Sequence, residues 1–245
     1  VCLAAQQKYS PPRLTSPDSW TMIMLPDPQT YVKFERNQPI LDLMMAWIDE
    51  NIDSLNIKLV VCTGDLVEHN EMIDPDGVRV NQPGKMQWEA VSRAFGKLDG
   101  KVPYITATGN HDYGVVKSAE NRMSNFNKYF PVDKNFQNRK IVREVGLNAF
   151  GIPTLENAAY EFVSPKGKKF LIVSLEFAPR DTIIGWANKV IRQEKYRNHT
   201  VVVLTHSYMN AQNEHIENEE YGLTDRNYGA AIWKKLVQPS TNIQM

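Results

Sequence analysis

Cysteine is nearly missing from this chain: 245 residues hold two, Cys2 and Cys62. Two cannot build a disulfide framework. Cys62 closes Lys58-Leu59-Val60-Val61-Cys62, a buried-strand pattern, and is expected to be an inert core thiol. A surplus of either charge is missing too. The 28 basic and 28 acidic residues balance, so no overall field favours nucleic acid or an anionic membrane. No apolar run approaches the roughly 20 residues that span a bilayer, and neither an internal repeat nor a dividing linker interrupts the chain. With 42% hydrophobic and 10% aromatic residues, what remains is a folded chain long enough for one large α/β domain.

The first residues, Val1-Cys2-Leu3-Ala4-Ala5, turn abruptly polar at Gln6-Gln7-Lys8. That short apolar stub with small residues has the look of a secretory signal around its cleavage site, which predicts an exported protein. The plainer reading is a disordered N-terminal remnant. Residues 1–19 are therefore a lead-in or signal remnant, with the domain running over 20–245.

The apolar run Trp20-Thr21-Met22-Ile23-Met24-Leu25 predicts a buried strand that opens into a loop at Pro26-Asp27. Helical spacing follows over 38–55, a strand over 57–63, a helix near 86–98 and a third strand over 102–108. Strand–helix–strand alternation predicts parallel pairing, with ligand loops at the carboxyl ends of the strands. Residues 115–158 read as irregular, with a short helix near 121–129. Strands are expected at 159–163, 170–175 and 200–204, and helices at about 181–196 and 229–237.

Four polar clusters fall at expected strand ends: Asp27-Pro28-Gln29, Gly64-Asp65, Gly109-Asn110-His111-Asp112 and Thr205-His206. A two-metal hydrolase needs a carboxylate shared between cations about 3.5–4 Å apart, plus terminal ligands. Asp65 after Gly64 suits the shared position, because glycine allows close approach. Asp27 and Gln29 would point the same way on an extended stretch. Asn110 offers a neutral oxygen and His206 a nitrogen. His111 is placed to donate a proton, with Asp112 available to orient its ring.

Asp-x-Gln, Gly-Asp, Gly-Asn-His-Asp and Thr-His, in this order, resemble the motifs of the calcineurin-like metallophosphoesterase family, most closely its exported bacterial branch. The runs Thr63-Gly64-Asp65-Leu66-Val67-Glu68-His69-Asn70 and Ser174-Leu175-Glu176-Phe177-Ala178-Pro179-Arg180-Asp181 support that resemblance, which covers the chain from about residue 20 onward. It implies a sandwich of two mixed sheets flanked by helices. It also implies hydrolysis of a small-molecule phosphate ester by a hydroxide activated between two metal ions, drawn from iron, zinc or manganese. Asp27, Gln29 and Asp65 would hold the first ion, and Asp65, Asn110 and His206 the second. His111 would protonate the leaving group or stabilise the phosphate. His69 could reach substrate from its loop, and Arg180 could contact a phosphate oxygen or else form an ordinary ion pair.

The family ends its site with Gly-His-x-His, and none of the five histidines here (His69, His111, His199, His206 and His215) follows a glycine. Residues 241–245 read as the opening of the strand that would deliver that motif. The expectation is thus a domain incomplete at its C-terminus, lacking its last strands, with impaired turnover. Two alternatives stand beside it: a phosphoesterase-like fold that binds a ligand or partner without turnover, and a single-metal or structural-metal domain. Substrate choice would rest on the loops 70–85, 113–158 and 209–228.

Overall fold

The carboxyl ends of three parallel strands set the frame for everything that follows. The computed structural model describes residues 10–244, so the stub around Cys2 and its signal reading lie outside the described residues. Residues 10–20 carry no helix or strand, and Trp20 closes them by packing its ring on Phe162 and Phe170, 5.1 and 6.1 Å away.

β1 (Thr21–Leu25) is followed by the single turn α1 (Gln29–Val32), α2 (Gln38–Glu50), β2 (Ile57–Cys62), α3 (Gly84–Gly96) and β3 (Tyr104–Thr106). The strands pair in parallel in the order β1-β2-β3, with Leu25 level with Cys62 and Cys62 level with Thr106. β2 is central, and its run Leu59–Cys62 is buried, as a strand covered on both faces requires. α2 presents Leu41, Met45 and Ile48, and α3 presents Trp88, Val91 and Phe95, to the same core. Cys62 is a free, buried thiol whose pKa is pushed up to about 12 by burial, so it is inert.

The second half adds α4 (Phe126–Tyr129), α5 (Phe136–Ile141), β4 (Val142–Leu147), β5 (Pro153–Val163), β6 (Lys169–Ser174), α6 (Asp181–Ile191), β7 (Thr200–Leu204) and α7 (Gly229–Ile232), which continues as a wider turn over Trp233–Val237. The order is β4-β5-β6-β7; the first two pairings are antiparallel and β7 runs parallel to β6. Side chains alternate across this sheet. Ala158, Tyr160, Phe162, Ile172 and Leu204 join the core shared with the first sheet, while Ala159, Leu171, Val173 and Val201 face α6 and α7. The result is two sheets face to face, each covered outside by helices. Beyond β7, Ile243 pairs in parallel with Val201.

Several expectations shift. The mixed pairing lies in the second sheet, whereas the first is wholly parallel. The stretch expected to be irregular holds α5, β4 and the first half of β5. β4 alternates poorly and carries Gly146. β5 begins with Thr154, Glu156 and Asn157, which are polar yet buried, so a hydropathy pattern passes over both. The helix expected to reach residue 196 stops at Ile191, with a separate tight turn at Glu194–Tyr196.

Candidate metal centre

Two glycines bring the central loops together. Gly64, just past β2, has φ +111°, and Asp65 follows at φ +49°, a left-handed conformation that costs a non-glycine residue on the order of 1–3 kcal/mol. A Cβ on Gly64 would lie 2.7 Å from the Gly109 nitrogen, and a Cβ on Gly109 would overlap the Asp65 carboxylate. The Gly-Asp and Gly-Asn-His-Asp motifs are therefore two halves of one backbone contact. Across it, the His111 amide donates to Asp65 Oδ1 at 2.9 Å.

Asp112 fastens the same pair of loops. Its Oδ2 accepts the Gly109 amide at 2.8 Å and its Oδ1 the Val67 amide at 3.1 Å, and the residue is wholly buried. The carboxylate expected to orient the His111 ring is thus engaged by backbone. The ring is held instead by the Glu68 carbonyl, 2.7 Å from Nδ1, with Ser118 Oγ at 3.2 Å. A carbonyl only accepts, so Nδ1 carries a proton and Nε2 is the atom left for chemistry.

The same reasoning fixes His206, which follows β7. Its Nδ1 donates to the Thr63 carbonyl at 3.0 Å. Nε2 then faces Asn110 Oδ1 at 3.1 Å and Asp65 Oδ2 at 3.5 Å. Phe177 packs edge-on against the ring with centroids 6.0 Å apart. Asp27 lies 3.9 Å from His206 Nδ1 and is steadied by the Thr63 hydroxyl, which donates to its Oδ1 at 3.2 Å. One ligand atom from each of Asp27, Asp65 and His206 falls within 4.8 Å of the other two.

This donor set fits a cation. Asn110 Oδ1 and Asp65 Oδ2 converge within 3.5 Å of His206 Nε2, an arrangement that a cation between them would satisfy. Gln29 Oε1 is buried with no hydrogen-bond partner among the described residues, an orphan acceptor of the kind a ligand resolves. Gln29 opens α1 after Pro28, which is itself helical, so the two-residue spacing from Asp27 is not extended as expected; its amide donates to the Asp65 carbonyl at 3.0 Å. Burial raises the pKa of Asp65 against the opposing pull of His206 and His111. Burial, then the charge on Asp65, raises that of Asp112 much further.

The family model for calcineurin-like phosphoesterases matches residues 36–233. The chain belongs to the calcineurin-like phosphoesterase family. That membership brings a general role in metal-dependent hydrolysis of phosphate esters. Asp65, Asn110, His111 and His206 fall inside the matched stretch, whereas Asp27 and Gln29 precede it and join the site through the fold. The chain is also similar to the Bacillus subtilis (strain 168) protein named "Uncharacterized protein YvnB", 27% identical over 229 residues, which is 93% of this chain and 15% of that protein. The chain thus spans about 15% of the length of this relative.

Other candidate residues sort by their partners. His69 lies beside His111, ring centroids 6.4 Å apart, and burial lowers its pKa toward the neutral imidazole. Arg180, weighed as a phosphate contact or an ion-pair partner, makes the ion pair: its Nε lies 2.8 Å from Glu176, and a second nitrogen reaches the Leu147 carbonyl at 2.7 Å. His215 stacks on Trp233, centroids 5.2 Å apart, rather than on any metal ligand. Sequence reasoning passed over Thr63, whose two oxygens hold Asp27 and His206. Its place directly before Gly64-Asp65 was the available signal. The Glu68 carbonyl that orients His111 is backbone and leaves no trace in the sequence. No helix among the described residues is long and apolar enough to cross a membrane.

Proposed function

We propose that this domain hydrolyses a phosphate ester with two metal ions, the first held by Asp27, Gln29 and Asp65, the second by Asp65, Asn110 and His206. The observation that carries the reading is the aim of His206: with Nδ1 tied to the Thr63 carbonyl, Nε2 points at the oxygens of Asn110 and Asp65. When bound, such ions polarise phosphate oxygens and lower the pKa of water at the site toward about 7. Asp65 suits the shared position because its two oxygens diverge, one toward the His111 amide and one toward His206. Gln29 and Asn110 contribute oxygens without charge, so the ligand set carries only the two carboxylates of Asp27 and Asp65.

His111 supplies the acid. With Nδ1–H committed to the Glu68 carbonyl, the imidazolium carries its mobile proton on Nε2. Water adds to phosphorus, the ester P–O bond breaks, and that proton passes to the departing oxygen. The ring then regains a proton released by the attacking water, which leaves alcohol and phosphate as products.

The test is elemental analysis of the purified chain together with hydrolysis of an aryl phosphate ester under added manganese, beside a His206→Ala variant. Metal binding and turnover that both drop at least about 10-fold in the variant support the reading. A folded chain with neither bound metal nor turnover would overturn it.

A further inference from the structure

We propose that the cavity beside His111 docks the uncharged organic group of the phosphate ester, about one ring in size; this rests on the hydrolytic reading above. The cavity has a volume of about 320 Å³ and lies between the loop after β2 and the loop after β3. That is the low end for small-molecule pockets. His69 and His111 line it together with the apolar residues Met72, Ile73, Val115 and Val116.

Position argues for a leaving group. The amide of His111 bonds Asp65, while the residue lines the cavity together with Ser118, whose hydroxyl lies 3.2 Å from its ring Nδ1. His111 thus touches Asp65 through its amide and borders the cavity at the same time. A phosphorus at the metal centre would have its ester oxygen at the proton donor and its organic group beyond it.

Side-chain chemistry decides what that group is. Ile73 and Val116 are 88% and 78% exposed. Either alone would be unremarked on a protein surface. Lining one concavity next to two imidazoles, they make an apolar contact for a ligand. The charged residues of the lining are Glu71 and Asp74 against the single ammonium of Lys117, a balance that disfavours a second phosphate or any other anionic group.

The walls are also built in advance. Glu120 Oε1 accepts the amides of Val115 and Val116 at 3.0 and 2.7 Å. Asn70 ties the opposite loop to the carbonyls of Gly114 and Met123 at 2.8 and 3.1 Å. Gly114 takes φ +98°, where a Cβ would collide with the Lys117 carbonyl. A pocket held this way loses little freedom on binding.

Benzyl phosphate and methyl phosphate release alcohols of similar acidity, so their ratio of kcat/KM reports the pocket. The manganese-loaded chain is expected to favour the benzyl ester by about 10-fold or more, and Val116→Asp, at an exposed position, is expected to bring the ratio back toward one. Equal values for the two esters in the parent, or a variant that lowers both alike, would overturn the pocket. Calorimetry with benzylphosphonate and methylphosphonate, which are not hydrolysed, separates the pocket from the chemistry. A tenfold preference for the benzyl compound without turnover of either ester sustains the pocket and rejects hydrolysis. Equal affinities, or no binding of either, reject the pocket.

Discussion

Gly109 lies against Asp65 so closely that one added methyl group would occupy the space of the carboxylate. The backbone of one motif thereby sets the side-chain position of the other. Glycine is required at 109 for space, not for dihedral freedom, since its φ of −105° is open to any residue. Gly109→Ala should therefore displace Asp65 and weaken metal binding by at least about 10-fold. Isothermal titration with manganese checks this, and an unchanged affinity would contradict it.

Among the described residues the Thr63 hydroxyl donates the side-chain hydrogen bond that steadies Asp27, and the Thr63 carbonyl separately holds His206. Thr63→Val keeps the shape and the carbonyl and deletes the hydroxyl. The expected result is a loss of metal affinity of about 10-fold, with a change in unfolding free energy within about 1.5 kcal/mol, the scale of one hydrogen bond. A variant that binds metal as the parent does would show that Asp27 needs no such support.

Asn70 is a structural hub. Its amide nitrogen donates to the Gly114 and Met123 carbonyls, and its oxygen accepts from the Trp88 indole at 3.2 Å and the Asn125 amide at 2.8 Å. Asn70→Ala would leave several buried groups unpaired, each worth about 1–3 kcal/mol. Urea unfolding should show a loss of at least about 2 kcal/mol. A smaller loss would mean that water replaces the amide.

The pH dependence of stability has a defined source in Glu156. Burial raises its pKa above the ordinary value of 4.5, with the nearby Glu176 adding, against the donors Tyr113, Thr154 and Asn148. A carboxyl with a raised folded-state pKa contributes its full stability below about 4.5 and loses it as pH climbs through the folded value. Glu156→Gln removes that titration. The parent should thus compare more favourably with the variant at pH 4 than at pH 7 in urea unfolding. A difference that stays constant, or runs the other way, would contradict the assignment.

Much of this was legible in the sequence because the chemistry sits where hydropathy changes. β1, β2, β7 and the helices α2, α3 and α6 announce themselves by apolar runs or helical spacing, and each polar cluster follows such a run. The pairing of Gly64 with Gly109 and the turn of Asp112 toward backbone amides were not legible, because side-chain identity does not say which main-chain group it meets. The first half of β5 was hidden for a different reason. Thr154, Glu156 and Asn157 are buried there to satisfy one another and their neighbours: Thr154 donates to Glu156 at 3.0 Å, and Asn157 bonds Glu176 at 2.9 Å. A strand whose buried residues are polar carries no alternation signal.

The two amides held by Asp112 have a consequence for how the site comes apart. Val67 sits in the loop after β2 and Gly109 in the loop after β3, and one carboxylate accepts from both. Releasing either amide leaves a carboxyl oxygen unpaired in a wholly buried place, which disfavours partial opening and couples the two loops. Hydrogen exchange at Val67 and Gly109 should then proceed at one common rate, slow while the carboxylate is in place. In that sense the loops after β2 and β3 form one cooperative unit, clasped by a single buried side chain.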